Sequence, residues 1–171
     1  VATPASAQDG SFDGEILLGY RWVDVDGAER KYREDVNQED GPVLFQLDFD
    51  VVPEEGQRGL ADRIELDVND LGSRAFETLR LGVRKYGSYK FQLDRRRSSY
   101  FYEDVIVPPE LADVRASTGG DFHHFDFERV RTHAALDLFL SDAAKLTFGF
   151  EQSTKDGQST TTLDLSRDEF E

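Results

Sequence analysis

No cysteine occurs anywhere in the 171 residues. Disulfide frameworks, thiolate zinc sites, iron–sulfur ligation and covalent c-type haem attachment all need that side chain, and all are excluded together. Methionine is absent as well, as expected of a mature chain or a fragment. No apolar run approaches the roughly 20 residues of a membrane-spanning helix, so the only route into a bilayer is through strands. Positive charge is the minority: 20 Lys+Arg against 35 Asp+Glu leave a formal net charge of -15. Such a chain repels a phosphate backbone, which excludes a nucleic-acid binder. The motifs of catalysis are missing too. Serines sit in no nucleophile elbow, no P-loop or dinucleotide fingerprint occurs, and no enzyme is expected.

What is present is alternation. In PVLFQLDFDV, Pro42 to Val51, the residues Val43, Phe45, Leu47, Phe49 and Val51 alternate with Gln46, Asp48 and Asp50. Successive strand side chains project to opposite faces, so this stretch has one apolar and one wet face. The pattern recurs. Ile16, Leu18, Tyr20 and Trp22 lie opposite Glu15, Leu17, Gly19 and Arg21. Ile64, Leu66 and Val68 alternate with Arg63, Glu65, Asp67 and Asn69, and Leu79, Leu81 and Val83 with Arg80, Gly82 and Arg84. Tyr89, Phe91 and Leu93 follow against Lys90, Gln92 and Asp94, then Thr132 to Leu140, Leu146 to Phe150, and Thr161 to Leu165. Short turns at Asn69 to Gly72, Lys85 to Ser88, Ser141 to Ala144 and Lys155 to Gln158 leave no room for parallel crossovers. Residues 25–41 and 105–121 read as long loops, the first crowded with charge, the second broken by Pro108-Pro109 and Gly119-Gly120.

The expected fold class is therefore all-β: an antiparallel meander of about eight amphipathic strands, an outer-membrane β-barrel or part of one. A β-sandwich or lipocalin-like barrel shares the same period with its apolar face turned inward. Polar faces carrying both charge signs, aromatics at strand ends and the absent cysteine favour lipid. Ala5-Ser6-Ala7 before Gln8 resembles a secretory cleavage site. Residues 1–7 are then a signal-peptide remnant, and 8–171 hold the barrel strands and loops. Leu18, Tyr20, Trp22, Phe45, Leu47, Phe49, Leu66, Leu81, Phe91, Leu138 and Phe148 are expected to face lipid. Arg63, Glu65, Asp67, Arg80, Arg84, Lys90 and Asp94 are expected to face a hydrated lumen.

Two clusters have ligand chemistry. Asp24, Asp26 and Glu29 surround Gly27 with the flavour of a calcium loop, although EF-hand spacing is not met. His123 and His124 stand between Asp121 and Asp126, but adjacent strand residues point apart and do not readily share one ion. Both read better as solvated loop and strand positions, so no metal, cofactor or catalytic residue is assigned. A calcium-dependent adhesion module would use the acidic loops.

Several stretches taken together, LGYRWVDVDGAERKYRED, KYGSYKFQLDRRRSSYFYED and GGDFHHFDFERVRTH, resemble outer-membrane barrels of the MtrB/PioB type, the porin-like partners of multihaem cytochromes. TTLDLSRDEFE resembles an internal strand-to-loop passage of such a barrel. The resemblance implies a large barrel that sheathes an electron-conducting cytochrome across the outer membrane of a Gram-negative bacterium. The barrel would supply insulation and position with no redox group of its own, and this chain would be its amino-terminal portion. A general porin or a secreted soluble β-module are the alternatives.

Overall fold

The structure, a computed structural model, describes residues 10–54, 59–103 and 124–157. Seven strands form one antiparallel meander in sequence order: β1 (Ser11–Arg21), β2 (Gly41–Val52), β3 (Arg63–Leu71), β4 (Phe76–Lys85), β5 (Tyr89–Glu103), β6 (His124–Ser141) and β7 (Ala144–Gly157). The sheet does not close on itself, and β1 and β7 are its edges. The fold is all-β, as the alternation requires. The expected strand at Thr161 to Leu165 and the residues 1–7 lie outside the described residues.

Each ladder is antiparallel, and directly opposed residues share a face. Chaining the pairs therefore gives rows that cross the whole sheet. One row reads Phe12, Val51, Ile64, Val83, Phe91, Leu136, Phe148. The next reads Gly14, Phe49, Leu66, Leu81, Leu93, Ala134, Phe150. Both are apolar across all seven strands. Nothing among the described residues lies on top of them: strands contact only their sequence neighbours, and the single helix touches β5. Among the described residues only Val43, Ala61, Val68 and Phe101 are buried hydrophobics, and no large side chain is fully enclosed.

Two features depart from the sequence reading. The charged stretch expected to be loop contains a helix, α1 (Glu29–Asp35). Its acidic first turn, basic last turn and the Lys31 pairs with Asp35 at 2.9 Å and Glu34 at 3.4 Å favour helix locally. Seven residues cannot hold a helix alone. Contact with β5 completes it: the Arg33 guanidinium lies 4.0 Å over the Phe101 ring, and the Asn37 side-chain amide donates to the Ser99 carbonyl at 3.2 Å. Asn37 takes φ +50, the left-handed conformation that ends a helix, and its N–H returns to the Tyr32 carbonyl. At the far edge of the sheet, β7 runs straight through Lys155, Asp156 and Gly157, where a hairpin turn was expected.

A β-bulge interrupts the β1–β2 ladder. Leu17 opposes Gln46 and Leu18 opposes Leu44, so Phe45 is the extra residue. Two glycines of the edge strand are covered by phenylalanines from β2. A Cβ at Gly14 would lie 2.5 Å from Phe49, and one at Gly19 would lie 2.7 Å from Phe45. Cross-strand aromatics of this kind shield edge glycines and pin register. Substituting Gly14→Ala is expected to cost about 1–3 kcal/mol by overpacking against the Phe49 ring. In a Phe49→Ala background the same change should cost far less, and thermal unfolding of the four-member cycle measures the difference.

Candidate functional site

The polar face is organised by the same ladders. Its central row is ionisable on every strand: Glu15, Asp48, Asp67, Arg80, Asp94, His133, Glu151. The adjoining row begins Asp13, Asp50, Glu65 and continues through Gly82, Gln92, Ala135 and Gly149. On the other side run Leu17, Gln46, Asn69, Thr78, Arg96, Arg131 and Ser153. Carboxylates therefore crowd β1 to β3, where Arg63 supplies the positive charge, while cations gather on β4 to β6. Like charges directly opposite one another are unfavourable unless water screens them. That demands a hydrated face.

Ion pairs bridge the strands locally. Arg63 holds the Asp50 carboxylate through Nε at 3.0 Å and through a second nitrogen, and reaches Glu65 at 3.2 Å. Arg80 meets Asp94 at 3.4 Å and Arg131 meets Glu151 at 3.0 Å. These are exposed pairs, each worth little for stability but sufficient to order the face. A cavity of about 280 Å³ opens beside Asp94, Arg96, Arg131 and His133.

The connections alternate between the two ends of the sheet, and the two longest leave from the same end. Residues 22–40, 72–75 and 104–123 join strands at one end, called here the loop end. Residues 53–62, 86–88 and 142–143 join them at the other, the turn end. A network ties the loop end together. Arg21 donates to Ser73 Oγ at 2.8 Å and to Asp70 at 3.2 Å, linking β1 to the β3–β4 turn. Glu77, buried, accepts from the Gly72 N–H at 3.0 Å and from Arg97 at 3.2 Å, and Arg97 also grips Glu128 at 2.5 Å. Tyr100, Tyr102 and Phe127 stack nearby at 5.0 to 6.5 Å.

The expected site residues fall as follows. Leu47, Phe49, Leu66, Leu81, Phe91, Leu138 and Phe148 lie on the apolar face, with Ile16. Arg63, Glu65, Asp67, Arg80, Arg84, Lys90 and Asp94 lie on the polar one. The bulge parts the remainder. Phe45 shares a side with Gly19 and, at 5.5 Å from its ring, Arg21, whereas Tyr20 points the other way. Leu18, Tyr20 and Trp22 are strongly exposed. Asp24, Asp26 and Glu29 occupy the connection leading into α1, and no group of three or more His, Asp or Glu side chains could hold a metal among the described residues. His123 lies outside those residues, and His124 opens β6. In the sequence His133 stands only as a further histidine beyond that pair. Only the register sets it between Asp94 and Glu151.

No family model, curated protein or solved structure matches the chain. Its chemistry has to be read from these two faces. Removing the Arg97 partner should strand the buried Glu77 carboxylate. Arg97→Met is expected to destabilise the sheet by about 2 kcal/mol, and the added change Glu77→Gln should recover much of that loss in a denaturant titration.

Proposed function

We propose that the chain forms wall of an outer-membrane β-barrel, with the apolar rows against lipid and the charged rows lining a hydrated passage. The observation that carries this reading is the pair of apolar rows, seven strands wide, on which no other element rests among the described residues. A soluble single-layer sheet with one greasy face exposed would associate or aggregate. Lipid supplies the missing layer.

The outline of the band supports the same reading. The row Ile16, Leu47, Val68, Leu79 is apolar over four strands and continues as Arg95, Thr132, Gln152. The row toward the turn end does the reverse, with Lys85 on β4 and then Tyr89, Leu138, Leu146. The apolar band thus slides toward the turn end from β4 to β5, as a flat slab does when it crosses tilted strands. Three rows of face residues, with side-chain reach, span on the order of 20 Å, close to the ~25 Å band of barrels in this membrane. Tyr86 and Tyr89 at one border and Tyr20 and Trp22 at the far end of β1 suit interfacial aromatic belts.

The resemblance to MtrB/PioB-type barrels narrows the proposal to a porin-like sheath for a multihaem cytochrome, contributing position and insulation without redox chemistry or catalysis of its own. Fractionating source cells tests both levels. The protein is expected in the outer membrane, with haem co-purifying. Leu66→Arg, which places a charge in the middle of the band at a cost of about 2–4 kcal/mol, should deplete it there, while Asp67→Arg should not. A soluble protein, or equal tolerance of both changes, would sink the barrel reading, and an outer-membrane protein without haem would leave a general porin.

Orientation follows from the connections. Barrels of this membrane keep short turns on the periplasmic side and long loops outside, and the two longest connections, 22–40 and 104–123, leave from the end bearing α1, which is therefore assigned to the exterior. The cysteine-free sequence gives a clean background for labelling. Lys31→Cys should react with an impermeant maleimide on intact cells and Gly87→Cys should react only after lysis; the opposite pattern reverses the assignment.

A further inference from the structure

Two tight turns meet at the turn end, between β4 and β5 and between β6 and β7. A cavity of about 500 Å³ opens there, lined by Arg84, Lys85, Lys90, Tyr86, Leu140 and Asp142. The register makes it unusual. Arg63, Arg84 and Lys90 are directly opposed on three successive strands, so Arg84 has a cation on either side. The carboxylates on and beside the strands are drawn to other partners, while Asp142 in the β6–β7 turn lines the pocket itself. Arg63 is taken by Asp50 and Glu65, Lys85 pairs with Asp62 at 3.2 Å, and Asp137, opposite Lys90, accepts from Thr147 at 2.6 Å and Lys145 at 3.4 Å. Arg84 and Lys90 form no ion pair within the described residues.

Neighbouring like charges destabilise a ladder, and an anion held between them reverses the sign of that interaction. A guanidinium fork beside a compact ammonium suits phosphate, which offers several strong acceptors and more charge than a carboxylate. The pocket also has an apolar margin that fits an amphiphile: Leu140 is 68% exposed and Tyr86 62% exposed beside the cations.

We propose that this turn-end pocket binds a phosphate-bearing group through Arg84 and Lys90, either the headgroup of an anionic phospholipid or a free phosphate. The test is a calorimetric titration of the full chain, folded in neutral detergent, with inorganic phosphate and with a soluble short-chain phosphatidylglycerol. At least one probe should bind, and Arg84→Gln with Lys90→Gln should weaken it by about tenfold or more, while Lys31→Gln on α1 leaves it unchanged. Should the double variant not fold, as judged by circular dichroism, Lys90→Gln alone serves at the exposed end of the hairpin. Binding of the lipid alone assigns the pocket to a headgroup; equal binding of both assigns it to free phosphate. Heat from neither probe, or an affinity unchanged by the substitutions, overturns the site. Whether the chain needs detergent to fold is measured separately, so loss of the barrel reading and loss of this pocket are told apart.

Discussion

Register is the constraint on which everything else in this sheet depends. With side chains alternating every residue, a slip of one position in any ladder would carry a strand's hydrophobic set to the charged face and its charges to the apolar one. Six ladders hold the alignment well enough for two apolar rows and an ionisable row to run unbroken from β1 to β7. The faces are properties of the rows, and no single strand contains either of them. That is why the structure has so few buried residues: its order comes from backbone pairing and cross-strand contacts instead of from an enclosed core.

The edges and ends show how that register is kept. At β1 the glycines would leave the ladder loosely packed, and Phe49 and Phe45 lie over them. At the loop end the β3–β4 turn is fastened to β1 through Arg21 and to β5 through Glu77 and Arg97, so three ladders share one polar anchor. Helix α1 then leans on the part of β5 that extends beyond that turn. A long charged connection is thereby ordered next to the sheet, where its carboxylates and cations surround the end of the structure without entering the apolar band.

Much of this was legible in the sequence because period two is a strong signal when one face is apolar. The stretches around Phe49, Leu66, Leu81, Phe91 and Phe148 name their own strands, and the turns at Gly72, Gly87 and Ala143 fall between them. The failures have separate physical causes. Helix α1 has no apolar stripe, and its stability comes from Phe101 and Ser99, far away in the chain. Phe45 alternates flawlessly in β2, but a bulge is a property of two strands and leaves no mark on one. Asp156-Gly157 has turn chemistry, yet pairing with Phe127 and Glu128 keeps it extended. The ionisable row was invisible for the most general reason, since its members are single residues scattered from Glu15 to Glu151 and only pairing collects them.

The proposal of lipid, and not protein, as the missing layer rests on the polar face as much as on the apolar one. A soluble sandwich keeps its outer face stable by interleaving charges, because directly opposed like charges cost energy with nothing gained. Here Asp13 opposes Asp50, which opposes Glu65, and Arg63 opposes Arg84, which opposes Lys90. Such crowding is tolerable where water or a charged occupant is held against the face, as the lumen of the proposed barrel would do. The apolar side argues in parallel, for its upper and lower borders step together between β4 and β5 and the band keeps its height while changing its position along the strands. A protein layer would need a matching step in its own surface. A bilayer needs only that the strands be tilted.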